Sequence, residues 1–405
     1  MPWKEVLPME ERAKFVIEAQ KAEQSFARVC RAFGISRRTG YKWWDRFRAE
    51  GLEGLRERSR AARRRPNQSA PHWRERVIGL RERHPFWGAK KIRARLLERF
   101  GAKEKVPAAS TLGAILSRAG LVRARRRRRQ GVALAAVERS GLCRAQAPNQ
   151  VWAADFKGWF RTLDGSRCEP LTVSDLCSRY LLCAEILPSP SFVHTRKVFA
   201  RLFAQYGLPS VLRVDNGSPF GSRGAGGLSR LSVWWMRLGI KVDFIAPGHP
   251  EQNASHERMH RTLKAETTCP AARSVRKQQV RLDQWRRHYN CERPHEALGQ
   301  QLPAQHYQSV GRPYPLLLAE VTYRAGWWVR RVRSNGQIKW AGRRYFIGEA
   351  FVGQLVGLRA ATEQGYEIYF MDRLLGRLEG ASANFDRLRP SASAGQNPRG
   401  RKQKV

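Results

Sequence analysis

Apolar side chains recur at helical spacing between residues 9 and about 50, at Phe15, Val16, Ala19, Phe26, Val29, Phe33, Tyr41, Trp44 and Phe47. This period predicts helices closing on a small core. Residues 25–44 read as a helix, a turn at Gly34 and a second helix capped by Ser36, which is helix-turn-helix order. Arg37, Arg38, Thr39 and Lys42 then fall at the start and on the exposed face of the second helix, where such motifs meet the major groove. A basic linker at 56–70 leads to a second helical domain at 71–122, winged or another helix-turn-helix, with Lys90 and Lys91 as candidate DNA contacts. It closes on an arginine run that opens a linker at 123–148.

From about residue 149 the period changes. Short β-rich runs are predicted at 151–160, 169–175 and 180–187, then a helix at 192–206 and a strand at 210–215. A helix at 228–238, a strand at 241–246 and a helix at 255–266 complete the series. Three strands followed by alternating helices and strands predict an α/β ribonuclease H-like core over 149–310, a mixed sheet with helices on both faces. Beyond Val321, five short strands suit a small C-terminal β-barrel over 321–380, with a hairpin about Asn335-Gly336. The chain is therefore expected to be multidomain, with an N-terminal all-α helix-turn-helix domain at 1–55 and a disordered tail at 381–405.

Composition adds a partner to this picture. The 405 residues carry 76 Lys and Arg against 34 Asp and Glu, a formal charge of +42. A field of that size implies a polyanion, and nucleic acid is the expected one. The charge is uneven, since the first 130 residues hold 35 basic and 13 acidic side chains. Seven cysteines are scattered without a Cys-x-x-Cys pair, which supports neither a disulfide framework nor a zinc finger. With no signal-like start and no long apolar run, a cytoplasmic protein without a membrane partner is expected.

Amid this positive charge three acids stand in distinctive settings. Asp155 follows the buried-looking run Val151-Trp-Ala-Ala, Asp215 ends Val211-Leu-Arg-Val ahead of an Asn-Gly turn, and Glu257 lies about one turn into a helix. Two strand ends and a helix start can bring three carboxylates to one point. Such hard oxygen ligands suit Mg²⁺ or Mn²⁺, two ions per site, for phosphodiester chemistry. Arg261 and Lys264, at i+4 and i+7 from Glu257, share its helical face and suit an entering phosphate. Asp243, mid-strand, Glu251, in a loop, and Glu266, at the far helix end, are worse placed; Asp175, at a strand end, stays open as a participant.

These residues resemble those of bacterial insertion-sequence transposases with a retroviral-integrase-type (DDE) catalytic core. Asp155 in Trp-Ala-Ala-Asp-Phe looks like the first aspartate, Asp215 in Asp-Asn-Gly-Ser-Pro-Phe the second, and Glu257 in Pro-x-x-Asn-x-x-x-Glu-Arg the glutamate. Tyr289-Asn-Cys-Glu-Arg-Pro-His-Glu-Ala-Leu-Gly, with Pro303 and Tyr307 after it, is a further family-like signature. The resemblance implies a metal-dependent polynucleotidyl transferase that binds double-stranded transposon ends, cleaves to expose a 3′-hydroxyl and joins it to target DNA, working as a homo-oligomer. It also implies contacts to the end DNA from Arg261 and Lys264. Two departures stand out: 41 residues separate Asp215 from Glu257, where the family's shorter spacing is about thirty-five, and Ala254 replaces a common glycine. Rival readings are a metal-dependent nuclease without strand transfer and a DNA-binding regulator on an inactive core. A basic RNA-binding protein is weakened because no aromatic Gly-rich strand motif is present.

Overall fold

The computed structural model describes residues 8–58, 69–122, 141–309, 311–362 and 365–379. The chain divides into two compact units, Met1–Ala70 and Pro71–Val405. Most of the arginine-rich linker expected at 123–148, and the tail expected at 381–405, lie outside the described residues, as does most of the basic linker.

In the first unit, α1 (Pro8–Gln20), α2 (Phe26–Ala32) and α3 (Arg37–Glu50) enclose Phe15, Val16, Val29, Cys30, Trp43 and Leu55. Ser36 caps α3 by accepting the Thr39 N–H at 3.2 Å. Gly40 is what lets α2 and α3 approach, because a Cβ there would stand 2.5 Å from the Cys30 sulfur. Tyr41, expected in the core, is 52% exposed and stacks on Phe26 at 4.4 Å, while Trp43 takes the interior place. Arg12, Lys42 and Arg46 all lie within cation–π reach of that indole.

The second unit begins with α4 (His72–Arg83), α5 (Ala89–Phe100) and α6 (Ala109–Arg118), packed about Trp73, Val77, Trp87, Ile92, Leu96 and Leu112. No wing follows, so this segment is all-helical among the described residues. It is pinned to what comes after. His84, Trp87 and His288 cluster with ring centres 3.9, 4.9 and 5.5 Å apart, Lys90 pairs with Glu296 at 2.8 Å, and Lys91 donates to the Pro294 carbonyl.

The central sheet contains β1 (Val151–Phe156), β2 (Phe160–Arg161), β3 (Arg167–Asp175), β4 (Leu181–Leu187), β5 (Val211–Val214) and β6 (Lys241–Phe244). β1 runs antiparallel to β3 and parallel to β5, and β5 runs parallel to β6, so the sheet is mixed as its pattern predicts. Two separate cores flank it. One gathers Trp152, Leu212 and Val214 with α7 (Phe192–Tyr206) and α8 (Arg230–Arg237); the other gathers Leu181 and Ala184 with α9 (Ala254–Thr267) and α10 (Val275–Cys291).

The C-terminal strands are β7 (Trp328–Arg331), β8 (Gln337–Trp340), β9 (Arg343–Phe346), β10 (Leu355–Thr362), β11 (Gly365–Phe370) and β12 (Arg373–Glu379). They form a four-stranded antiparallel sheet, β12-β11-β10-β7, and a separate β8-β9 pair. No closed sheet forms among the described residues, where the pattern predicts a small barrel. The expected hairpin is also redrawn. Asn335-Gly336 does turn the chain, but β7 pairs with the eight-residue β10, and β8 pairs with β9 across Ala341-Gly342. Those two residues have φ of 46° and 76°, the left-handed pair that a tight two-residue hairpin requires.

Candidate active site

Val151 and Val211 lie side by side on the parallel strands β1 and β5, and the register continues through Ala153 and Arg213. The pairing ends there; Asp155 lies two residues further along β1, and Asp215 follows the last residue of β5. Neighbouring strands are about 4.8 Å apart, so two carboxylates at that edge repel. The effect is visible on Asp155, whose carboxyl is pushed up to about 7, first by burial and then by the Asp215 charge, with Glu257 adding to it. Burial also raises Asp215. The loop that follows is tied down, since the Asn216 amide donates to the Ile245 carbonyl at 2.6 Å.

Glu257 is exposed in the first turn of α9, and a short turn at Pro250–Asn253 precedes the helix. Arg261 and Lys264 are exposed on the same face, as the spacing predicts. The opposite face carries a feature that a reading centred on carboxylates misses. His256 and His260, one turn apart, are both buried, and each presents Nε2 to the Thr172 hydroxyl, at 2.7 and 2.6 Å. Thr172 donates to the Asp155 carbonyl at 3.0 Å. A hydroxyl that donates once has two lone pairs left, so both histidines must offer Nε2–H to it. Ser174 then donates to His256 Nδ1 at 3.0 Å. Burial pushes His256 down to about 3, and burial, His256 and Lys157 push His260 down to about 2, so both rings are neutral. The pair fastens the helix of Glu257 to the strand facing Asp155. The i, i+4 spacing of the two histidines was the available signal.

With its Nε2–H spent on Thr172, His260 turns the Nδ1 lone pair toward Asp155 Oδ2, 3.8 Å away. Two acceptors facing each other beside two further carboxylates make a place that favours a cation. The donor chemistry therefore fits a hard divalent metal. Among the described residues no three His, Cys, Asp or Glu side chains are gathered to metal-holding spacing, so the arrangement is an open one.

The competing acids have structural partners. Asp175 is fully buried and accepts from the Asn149 and Ser178 backbones at 3.0 and 2.7 Å, three positions along β3 from the partner of Asp155. Asp243 meets Lys241 at 3.2 Å and the Cys143 N–H at 2.8 Å. Glu251 pairs with His249, and Glu266 accepts from Trp285 and Arg293, each at 2.6 Å. The signature after Tyr289 also has a scaffold role. The Asn290 amide bridges the N–H and carbonyl of Leu181, and the Tyr307 hydroxyl donates to Asn149 at 2.7 Å.

Of the candidate DNA contacts, Arg37, Arg38 and Lys42 are exposed on α3. Thr39 is half-buried, with its hydroxyl 2.9 Å from that of Ser36. Lys90 and Lys91 are occupied by Glu296 and Pro294, and burial brings the Lys91 amine down to about 8.

Residues 145–250 and 238–303 match family models described as Integrase core domain. Residues 11–66 match a Helix-turn-helix domain, 39–116 a Homeodomain-like domain, and 328–382 the C-terminal domain of IS481 family transposases. The chain is 32% identical over 194 residues to the Insertion element IS407 uncharacterized 31.7 kDa protein of Burkholderia multivorans (strain ATCC 17616 / 249), covering 46% of this chain and 64% of that protein. It is 31% identical over 192 residues to the Insertion element IS476 uncharacterized 39.2 kDa protein of Xanthomonas euvesicatoria, covering 45% and 50%. The matches thus span less than two thirds of either relative. The magnesium-bound HTLV-2 integrase catalytic core domain aligns with 41% of this chain and 100% of its own, at 15% identity and a TM-score of 0.33.

Proposed function

Because the chain belongs to the bacterial insertion-sequence transposases with an integrase-type core, we propose that it binds the ends of its element, cuts to free a 3′-hydroxyl and joins that hydroxyl to target DNA. The observation that supports this reading is that Asp155, near the end of β1, and Asp215, just past the neighbouring parallel strand β5, come close enough for the charges of Asp215 and of Glu257 on α9 to raise the Asp155 carboxyl. Asp155, Asp215 and Glu257 would hold two Mg²⁺ or Mn²⁺ ions, which when bound supply charge for a pentavalent phosphorus and make an attacking oxygen more acidic.

The chain's own groups have separate tasks. Arg37, Arg38 and Lys42 on the exposed face of α3 approach base edges and phosphates of the element end. Arg261 and Lys264, on the outer face of α9, hold phosphates beside the carboxylates. His256 and His260 keep α9 in register with β3, so that Glu257 stays near the two strand ends. Joining two ends to one target needs two active sites, so the working form is a homo-oligomer on DNA.

The test is incubation of purified protein with a plasmid and a labelled 3′-hydroxyl end fragment in Mg²⁺, Mn²⁺ or EDTA. Metal-dependent joining that disappears with Glu257→Gln supports the proposal. Cutting without joining would move the assignment to a nuclease. The open spacing of the acids favours a second reading, a DNA-binding regulator on an inactive core, and end binding without cutting in any metal would establish it.

A further inference from the structure

Four residues past Asp155 stands a side chain that the cutting chemistry does not use. Trp159, between β1 and β2, is 59% exposed. A large indole left in water four residues along the chain from Asp155 calls for a partner. Its surroundings are held in place. The Lys157 N–H donates to the Pro170 carbonyl at 3.0 Å, and the hairpin tip donates from Leu163 and Asp164 to the Ala272 and Arg273 carbonyls at 3.0 and 3.1 Å. Those two acceptors lie between α9 and α10, so the hairpin is braced by the connection that follows the helix of Glu257.

Two cations lie over the ring and still leave it largely exposed. The guanidinium carbons of Arg161 and Arg167 lie 5.9 and 5.3 Å from its centre. Both are anchored, Arg161 to the Gly165 carbonyl at 2.6 Å and Arg167 to Glu169 at 3.1 Å. Lys157, two residues from Asp155, lies close enough to Lys264 of α9 for their charges to oppose each other. Lys157 thus sets positive charge beside Asp155, and Arg161 and Arg167 set it at the indole two residues further on. An exposed flat apolar ring with guanidinium groups held over it matches one chemistry in particular, a nucleobase on an anionic backbone.

We propose that Trp159 is the stacking platform for one DNA base that leaves the duplex next to the phosphate being cut. The inference rests on the phosphodiester-cutting reading and deepens it. Unpairing a base beside the cut gives the strand the slack to enter between Asp155 and Asp215, and the indole replaces part of the stacking that the base gives up.

The full-length chain and its Trp159→Ala variant are bound to duplexes carrying the element's terminal sequence, with 2-aminopurine placed in turn at each nucleotide flanking the cut. Stacking on indole quenches this base. One position is expected to be dark with the wild-type protein and several-fold brighter with Trp159→Ala, while Trp159→Phe stays near wild type and an unchanged thermal midpoint verifies folding. Equal emission with both proteins at every position overturns the proposal. In a second arm, Trp159→Ala is expected to cut fully paired ends on the order of ten-fold more slowly and to recover on ends mismatched at the flank. An equal loss on both substrates, or none on either, also overturns it. The emission arm needs binding alone, so a wild-type protein that binds without cutting removes the transposase reading while the stacking is still judged.

Discussion

His260 turns an unprotonated ring nitrogen toward the Asp155 carboxylate across 3.8 Å, while its other nitrogen is held by Thr172. One threonine hydroxyl therefore sets the tautomer of two histidines and the seat of the helix that carries Glu257.

Thr172→Val keeps the shape of this side chain and removes the hydroxyl, leaving two imidazole N–H groups and the Asp155 carbonyl without it. A loss of about 2–4 kcal/mol is expected in denaturant unfolding of the larger unit. Thr172→Ser restores the hydroxyl and should return most of that stability. Equal losses in both variants would show that packing, and not the hydrogen-bond hub, is what matters.

Asp155 gives a metal and pH test. Its folded-state value near 7 lies above that of an unfolded aspartate, so the metal-free fold loses stability as pH rises from about 4 to 7 and carries the full penalty above that. Asp155→Asn should then stabilise the metal-free protein by about 1–3 kcal/mol at pH 8 and by almost nothing at pH 4. Millimolar Mg²⁺ should raise the thermal midpoint of the wild type at pH 8 and leave Asp155→Asn unmoved. Calorimetry at the two pH values checks both.

Acid should act on the same unit with the opposite sign. His256, His260 and His295 are held neutral by burial, at about 3, 2 and 3. Their contribution is complete above the unfolded value near 6.5 and falls below it, as the unfolded chain takes up protons that the fold refuses. The slope approaches about 1.4 kcal/mol per pH unit for each histidine. Chemical unfolding at pH 7 and pH 5 should show a difference well beyond that of a surface titration.

The two sets of basic residues should separate in DNA binding. Arg37→Ala with Arg38→Ala should weaken end binding and reduce the salt slope by about 2, near 0.9 for each phosphate no longer neutralised. Lys90→Ala, which breaks an intrachain pair with Glu296, should change affinity by less than about two-fold, whereas Arg261→Ala should change it several-fold. A filter-binding series at several salt concentrations decides this.

Much of the architecture was legible in the chain because its period is local. The helix at Phe192–Tyr206 and the strand order through Lys241 follow from side-chain alternation, and Ser36 caps α3 as its sequence implies. What escaped depends on partners distant in sequence. The 17-residue α10 is rich in arginine and glutamine, so its buried Leu282, Trp285 and Tyr289 form too sparse a stripe to stand out. The pairing of β7 with β10 passes over the nearer Asn-Gly turn, and no local signal gives that choice. The intrachain partners of Lys90 and Lys91, Glu296 and Pro294, lie about two hundred residues away and leave no local signal. At the site, acids were easier to find than the histidines beneath them, because a buried polar group shows its meaning only through its partner.

An open sheet, unlike a closed one, has borders. β7 is one of them, and all four of its residues are exposed, including Trp328 and Val329. A short exposed edge strand is a template on which another chain can align. Arg330 and Arg331 stand in that strand, and their mutual repulsion between copies works against such growth. In concentrated protein without nucleic acid, this border is guarded by charge, and neutral side chains at the two positions would turn it into a seed for aggregation.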